Sequence, residues 1–341
     1  MRTTRTLWSV LAAFVLLAGT ACGSLGGGGG DGEGAAADPC DKATNYPRGP
    51  VQFIIPWAAG GGTDSVGRFI ANQLGERLGT QVNVVNRTGG SGAIGHTAIS
   101  TARPDGQTIG MPTVELTMMH WLGLTQLTYQ QFTPIGQVNF DPAGITVRSD
   151  APWKDVEELL AYVEKNPGEL TASGTGQGGI WDLARAGMLV EAGLPPDAIR
   201  WVPSDGAAPA LQELAAGGID ISFASLVENQ TLIEEGRVKA LGIMAEERAA
   251  NFPDVPTLEE QGVDYAMSAW RGVAGPEGLP DDIVAELSCH VQKIVNGQAY
   301  KSFMAEAGFG VTYRGPEEFG RFLAAEDKSK GDLMRRAGLA K

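Results

Sequence analysis

Apolar and polar positions change period repeatedly along the chain, and the first change is the sharpest. Val51, Phe53, Ile54 and Ile55 form a β-branched and aromatic run closed by Pro56, which predicts a buried strand. From Asp64 onward Val66, Ile70, Leu74 and Leu78 recur at four-residue steps, which predicts a helix with one buried face. Residues 58–63, with Gly60, Gly61 and Gly62 in a row, join the two. A strand that turns through glycines into a helix leaves first-turn N–H groups without backbone partners and points a positive dipole end outward. Such a turn is a ready anion site, or else merely a connection between two elements. It lacks the lysine of G-x-x-x-x-G-K-[ST], so it is not a nucleotide P-loop.

The pattern continues as strand, helix, strand. Residues 81–86 alternate as a second strand, a glycine turn over 87–95 leads into a helical run ending near Arg103, and 108–111 is a third strand. That alternation builds a parallel sheet. Residues 144–147 then read as a strand, 156–165 as a helix and 170–173 as a strand, after which Gly174, Gly176, Gly178 and Gly179 open a helix through Ile180, Leu183, Ala184 and Leu189. The arrangement of the first glycine turn thus appears a second time. Residues 174–179 also match G-x-G-x-x-G, with Asp197 near the distance of a ribose-binding acid. No strand ends on Asp197, however, and the motif sits in mid-chain, which argues against a dinucleotide site. A helix over 210–216, strands over 219–223 and 238–244, and a strand over 269–276 that leads back out follow. Helices over 281–295, 299–307 and 316–334 complete the chain. Two α/β lobes with two crossings imply a cleft, with the first lobe at 46–147 and 270–341 and the second at 148–269.

The N-terminal residues follow a different rule. Arg2 and Arg5 precede an apolar stretch over 7–17 and small residues before Cys22, the pattern of an export signal too short to span a bilayer. Residues 23–45, with five glycines in a row, form a tether. LAGTAC resembles the bacterial lipobox, which implies lipidation of Cys22 and attachment at the outer face of the cytoplasmic membrane; the alternative is an ordinary signal peptide cut nearby.

Composition narrows the function classes. A net charge of −14 argues against nucleic acid as a partner, though local N–H groups can still hold an anionic ligand. With Cys22 lipidated, the even remainder suggests a Cys40–Cys289 disulfide in an oxidising compartment, the alternative being two free thiols. His96, His120 and His290 are scattered without metal-ligand spacing, so neither a metal nor another cofactor is expected. Neither G-x-S-x-G nor S-x-x-K occurs, which argues against an enzyme; an exported enzyme or ligand sensor acting on an organic acid is the alternative.

Several segments together resemble one family. Tyr46-Pro47, Pro56-Trp57-Ala58-Ala59-Gly60-Gly61-Gly62-Thr63-Asp64, Asn86-Arg87 and Arg103-Pro104-Asp105-Gly106 occur in the order and spacing of the Bug family, the solute-binding proteins of tripartite tricarboxylate transporters. Gly174-Thr175-Gly176, Gly206-Ala207-Ala208-Pro209-Ala210-Leu211, Pro253-Asp254-Val255-Pro256-Thr257 and Trp270-Arg271-Gly272 extend the resemblance to Lys341.

The resemblance implies a type II periplasmic-binding-protein fold that closes on a small di- or tricarboxylate or related acid. It also implies a monomer that hands its ligand to membrane subunits of the transporter. Carried over position by position, one loop supplies Gly61, Gly62, Thr63 and Asp64 to the ligand, and the facing loop supplies Ser173, Gly176, Gln177, Gly178 and Gly179. Gly206 and Ala207 complete the expected set, and Trp57 supplies a flat wall or is a core aromatic behind the loop. Asp64 reads more readily as a helix cap than as a ligand group. Asp182 departs from the family pattern; it could bind a ligand amine, cap its helix or face solvent. The ligand-selecting side chains are expected in loops that include 115–120 and 139–141, and hinges near 147–148 and 270–272.

Overall fold

A computed structural model of the chain describes Cys40 and residues 45–341; the expected export signal, Cys22 and the expected tether apart from Cys40 and Asn45 lie outside the described residues. Eleven strands among them form two mixed sheets. The first takes β1 (Val51–Ile55), β2 (Val82–Asn86), β3 (Thr108–Gly110), β4 (Phe132–Pro142), β10 (Ser268–Pro276) and β11 (Val311–Arg314), in the order β11-β4-β10-β3-β1-β2. The second takes β5 (Gly144–Arg148), β6 (Thr171–Ser173), β7 (Arg200–Trp201), β8 (Ile221–Ser222) and β9 (Val238–Ile243), in the order β7-β6-β8-β5-β9.

The sheets share a plan. β1 lies between β2 and β3, parallel to both, and β6 lies between β7 and β8 in the same way. Beyond β3 and β8 come antiparallel strands, β10 with β4 and β5 with β9. β5, which ends the first lobe in the sequence reading, therefore pairs within the second sheet. Its local sequence predicts a strand, but only β8 and β9, far along the chain, determine which sheet it joins. The chain passes between the sheets at Ala143 and returns at Met267. Backbone bonds from Ala143 N–H to Met267 C=O (2.8 Å) and from Met244 N–H to Ala143 C=O (2.8 Å) fasten the two passages together.

Helices cover both sheets. α1 (Gly62–Leu78) and α2 (Ala93–Ser100) follow β1 and β2, and α7 (Asp281–Asn296), α8 (Gln298–Glu306) and α9 (Pro316–Arg336) follow β10. α3 (Val156–Lys165), α4 (Ile180–Glu191), α5 (Ala207–Ala216) and α6 (Gln230–Glu234) belong to the part of the chain that carries β5–β9. Local rules set their ends. Asp155 accepts the Glu158 N–H at 2.8 Å to start α3, whose Val156, Leu159 and Val163 are buried. α1 buries Val66, Ile70 and Leu74 and stops at Gly79, which takes the left-handed conformation that closes helices. Each such side chain, fully buried, contributes about 1.5–3 kcal/mol. A disulfide joins Cys40 to Cys289 on α7. None of the helices among the described residues is long and apolar enough to cross a membrane.

Candidate functional site

The starts of α1 and α4 meet at one cavity of about 40 Å³. Gly61, Gly62 and Thr63 line it from the start of α1, Ile180 and Trp181 from the start of α4, and Thr175 from the loop before α4. Both helices leave the carboxyl end of a strand flanked by parallel neighbours, β1 and β6, where open α/β sheets place their ligands. Trp57, Gly206 and Ala207 add to the wall; Trp57 is 8% exposed, and its indole Nε1–H donates to the Thr113 hydroxyl at 3.0 Å.

Each helix start already faces a carboxylate of the protein, contributed from across the cavity. Glu228, after β8, accepts from the Gly62 N–H of α1 at 3.4 Å. Glu115, in a 3₁₀ turn after β3, accepts from the Ile180 N–H of α4 at 3.2 Å and from the Thr113 hydroxyl at 2.5 Å. The arrangement is reciprocal: the first sheet's loop caps the second sheet's helix, and the second sheet's loop caps the first sheet's helix. Burial pushes both glutamates' pKa values up, opposed by hydrogen bonds and by the Arg271 charge, while Asp141 adds to the rise at Glu228.

Arg271, 3% exposed on β10, is the centre of charge. Its Nε donates to the Thr63 hydroxyl at 3.0 Å, its Nη1 bonds both Asn139 and Asp141 on β4, and its Nη2 lies 3.7 Å from Glu228. Burial opposes its charge, but Asp141 and Glu228 more than offset that and hold its pKa above the ordinary value. His96 organises the wall behind. Its Nδ1 bonds the Gly92 carbonyl at 2.8 Å and its Nε2 accepts the Thr113 N–H at 3.0 Å, a pairing that assigns the neutral Nδ1–H tautomer. Burial lowers its pKa to about 4.

A family model described as the tripartite tricarboxylate transporter family receptor matches residues 66–339. The chain belongs to this receptor family. The receptor superposes on the periplasmic binding protein BugD with a TM-score of 0.81 at 29% identity, covering 87% of this chain and 100% of that one. It superposes on Rpa4515 of R. palustris, solved with adipate, with a TM-score of 0.82 at 26% identity, covering 86% and 99%. For MatC from Rhodopseudomonas palustris with bound malate the values are 0.78 and 28%, covering 84% and 99%. The fold is thus that of the periplasmic binding proteins, and the receptor is a solute-binding protein rather than an enzyme.

Of the residues expected at the ligand, Trp57, Gly61, Gly62, Thr63, Gly206 and Ala207 line the receptor's cavity and the others do not. Asp64 is not the cap residue, which is Gly61, but lies three residues inside it in the first turn of α1, and takes the Gly60 N–H (3.0 Å), Arg68 (2.9 Å) and Asn86 (2.8 Å). Burial would raise its pKa, but those bonds outweigh burial and hold it below the usual carboxylate value. Ser173 is buried beside the cavity without lining it. Gly176 packs against Ser91, and the Ser91 hydroxyl donates to the Gln177 carbonyl at 3.1 Å, so these two positions join the halves at the rim. Gly178 N–H donates to Asp182 at 2.9 Å, and Gly179 is the cap residue of α4. Asp182 is 2% exposed and also bonds Arg185 at 2.6 Å, so it braces its own helix.

Glu228 is absent from the sequence expectation, and no motif marks it. Arg271 is present there as part of a strand, of the Trp270-Arg271-Gly272 motif and of an expected hinge, with no role at the ligand. Glu115 falls within a segment expected to select the ligand, whereas Asn139 and Asp141, also expected in such a loop, stand on β4 and hold Arg271. Among the described residues no cluster of three His, Cys, Asp or Glu side chains is placed to hold a metal ion.

Proposed function

We propose that this receptor captures a small organic carboxylate in the cavity between its two sheets and delivers it to the membrane subunits of a tripartite tricarboxylate transporter. One observation carries the reading: two helix N-termini, one from each sheet, converge on a single cavity and each already attracts a carboxylate. The adipate and malate bound by related proteins support an acid as the ligand class. Trp57, Gly61, Gly62, Thr63, Gly206 and Ala207 are proposed as ligand neighbours, with Glu115, Glu228 and Arg271 added by their position in the wall. Ser173 and residues 176–179 act at one remove, by holding the start of α4 and the rim. The two parts of the chain act as lobes about the Ala143 and Met267 passages, closing on the ligand as a monomer. Cys22 is proposed as a lipid attachment point that keeps the receptor at the outer face of the cytoplasmic membrane.

Thermal melts against a panel of mono-, di- and tricarboxylates test this. A ligand at a hundred times its Kd adds about 2.7 kcal/mol of stability, readily seen as a shifted midpoint. Failure of every acid to raise the midpoint, with a nonacidic solute doing so instead, would overturn the carboxylate reading. A Cys22→Ala chain is expected in the soluble rather than the membrane fraction; its retention at the membrane would sink the lipid attachment.

A further inference from the structure

A second cavity, of about 380 Å³, lies beside the first. Among the described residues none lines both, but two bonded pairs span the partition: Asp141 and Ser225 line the second cavity, and their partners Arg271 and Glu228 line the first. β4, α8 and residues 308–311 form one side of it, and residues 225–227, Ile243 at the end of β9 and residues 249–252 form the other. It therefore sits where the two halves of the molecule meet, beside the Ala143 passage. Small-molecule sites favour such boundaries and occupy about 300–1,000 Å³, a range that includes this cavity.

Its wall is mostly apolar, built from Phe140, Leu226, Ile243, Phe252, Phe309 and Val311. Phe140 and Val311 are 44% and 41% exposed, two of the five large apolar side chains that the described residues leave in water. A solute that covers them removes apolar surface from water, a gain that grows with the area covered. The polar groups are unequal. Asp141, 1% exposed, is committed to Arg271, Asn139 and the Gly310 N–H, so its charge is balanced within the protein. The Ser225 hydroxyl donates to Glu228. Lys301, exposed on α8, is the one basic residue among the described lining residues, and no carboxylate among them pairs with it. The uncommitted charge in the wall is therefore positive, and the exposed Asn251 adds an amide donor.

We propose that this cavity is a second ligand site, separate from the one between the helix starts, and that it takes an amphiphilic anion: an apolar body of one or two rings against Phe140 and Val311, with a single anionic head at Lys301. A small, highly charged acid would cover little of that apolar wall and would bring charge to it without a partner, so the two cavities select different solutes. The second site does not depend on the carboxylate reading of the first.

Fluorescence titration of the full chain tests it with two dyes: 8-anilinonaphthalene-1-sulfonate, which has such a body and head, and N-phenyl-1-naphthylamine, the same body without the head. Both are expected to bind saturably at a single site. Ala305→Trp, which sets an indole into the cavity from α8, should abolish that binding, and Phe140→Ala should weaken it about threefold to tenfold. Ala208→Trp, in the wall of the first cavity, should leave it unchanged. Lys301→Met should weaken the sulfonate about twofold to fivefold, as for an exposed charge pair, and leave the uncharged dye unchanged. An unchanged circular dichroism spectrum and urea midpoint in each variant separate loss of the site from loss of the fold. Absence of saturable binding, or binding that survives both Ala305→Trp and Phe140→Ala, overturns the site. Binding lost in Ala208→Trp but kept in Ala305→Trp places the dye in the first cavity and overturns it too. An equal response of the two dyes to Lys301→Met overturns the anionic head.

Discussion

Replacing Arg271 with methionine removes the one guanidinium that Asp141 and Glu228 share, while keeping a stem that can still pack beside Phe309. Asp141 is 1% exposed, so its charge cannot turn to water once its partner is gone. Breaking a buried pair from one side costs about 3–5 kcal/mol, well above the ~1 kcal/mol of an ordinary hydrogen bond. At about 2–4 °C per kcal/mol for domains of roughly 150–250 residues, the melting midpoint should fall by roughly 6–20 °C. Adding Asp141→Asn to Arg271→Met keeps the acceptor for Asn139 and Gly310 but removes the orphaned charge. The double variant should recover about 1–3 kcal/mol relative to additivity. Burial already raises the Glu228 carboxyl and the Arg271 charge opposes that rise, so without Arg271 Glu228 holds its proton more tightly than in the unfolded chain. The variant's deficit should therefore shrink as pH falls from neutral toward the ordinary carboxylate range. Urea denaturation at both ends of that range measures all three quantities. An Arg271→Met chain within about 1 kcal/mol of the parent at neutral pH would refute the account, since a deficit that small is inconsistent with an uncompensated buried charge.

Other parts of the molecule give independent expectations. Gly176→Ala places a Cβ 2.2 Å from the Ser91 Oγ and 3.1 Å from its Cα, so the hydroxyl must rotate away from the Gln177 carbonyl and the backbone must give by a few tenths of an ångström. Ligand binding should weaken with little change in ligand-free stability, and an unchanged affinity in calorimetric titration would count against the rim contact. His96, buried and neutral, contributes stability that is complete above its ordinary value of 6.5 and lost as pH falls toward about 4. That interval is worth about 3 kcal/mol, so His96→Gln should flatten the acid limb of the stability profile, and parallel limbs in parent and variant would refute it. Cys40→Ser with Cys289→Ser should lower stability by about 2–4 kcal/mol, read as a lower urea midpoint that reductant does not move further.

Periodicity made the framework readable. β1, α1, β6 and α4 were all legible because a short apolar run followed by four-residue spacing has few other solutions. β4 was not, because its Gln137, Asn139 and Asp141 repeat with period two and are all buried, while Phe140 between them is 44% exposed. A rule that sends polar residues to solvent reads such a strand inside out, and only the position of Arg271 on the neighbouring β10 explains its inward polar face. The second glycine loop was read one step off for the same kind of reason. Amides at 176–179 looked free in the sequence, but Asp182 takes that of Gly178, leaving the Ile180 N–H to face the cavity wall. Glu228 lies in the connection after β8, where no period operates, and its partner Gly62 is 166 residues away.

The Cys40–Cys289 link has a mechanical consequence. Tension on the chain upstream of Cys40 enters the body through α7, which packs on α1 and β4 of the first sheet's layer. None of that load needs to cross the paired passages at Ala143 and Met267. A pull on the N-terminal segment would therefore hold one half still and leave the other free to swing.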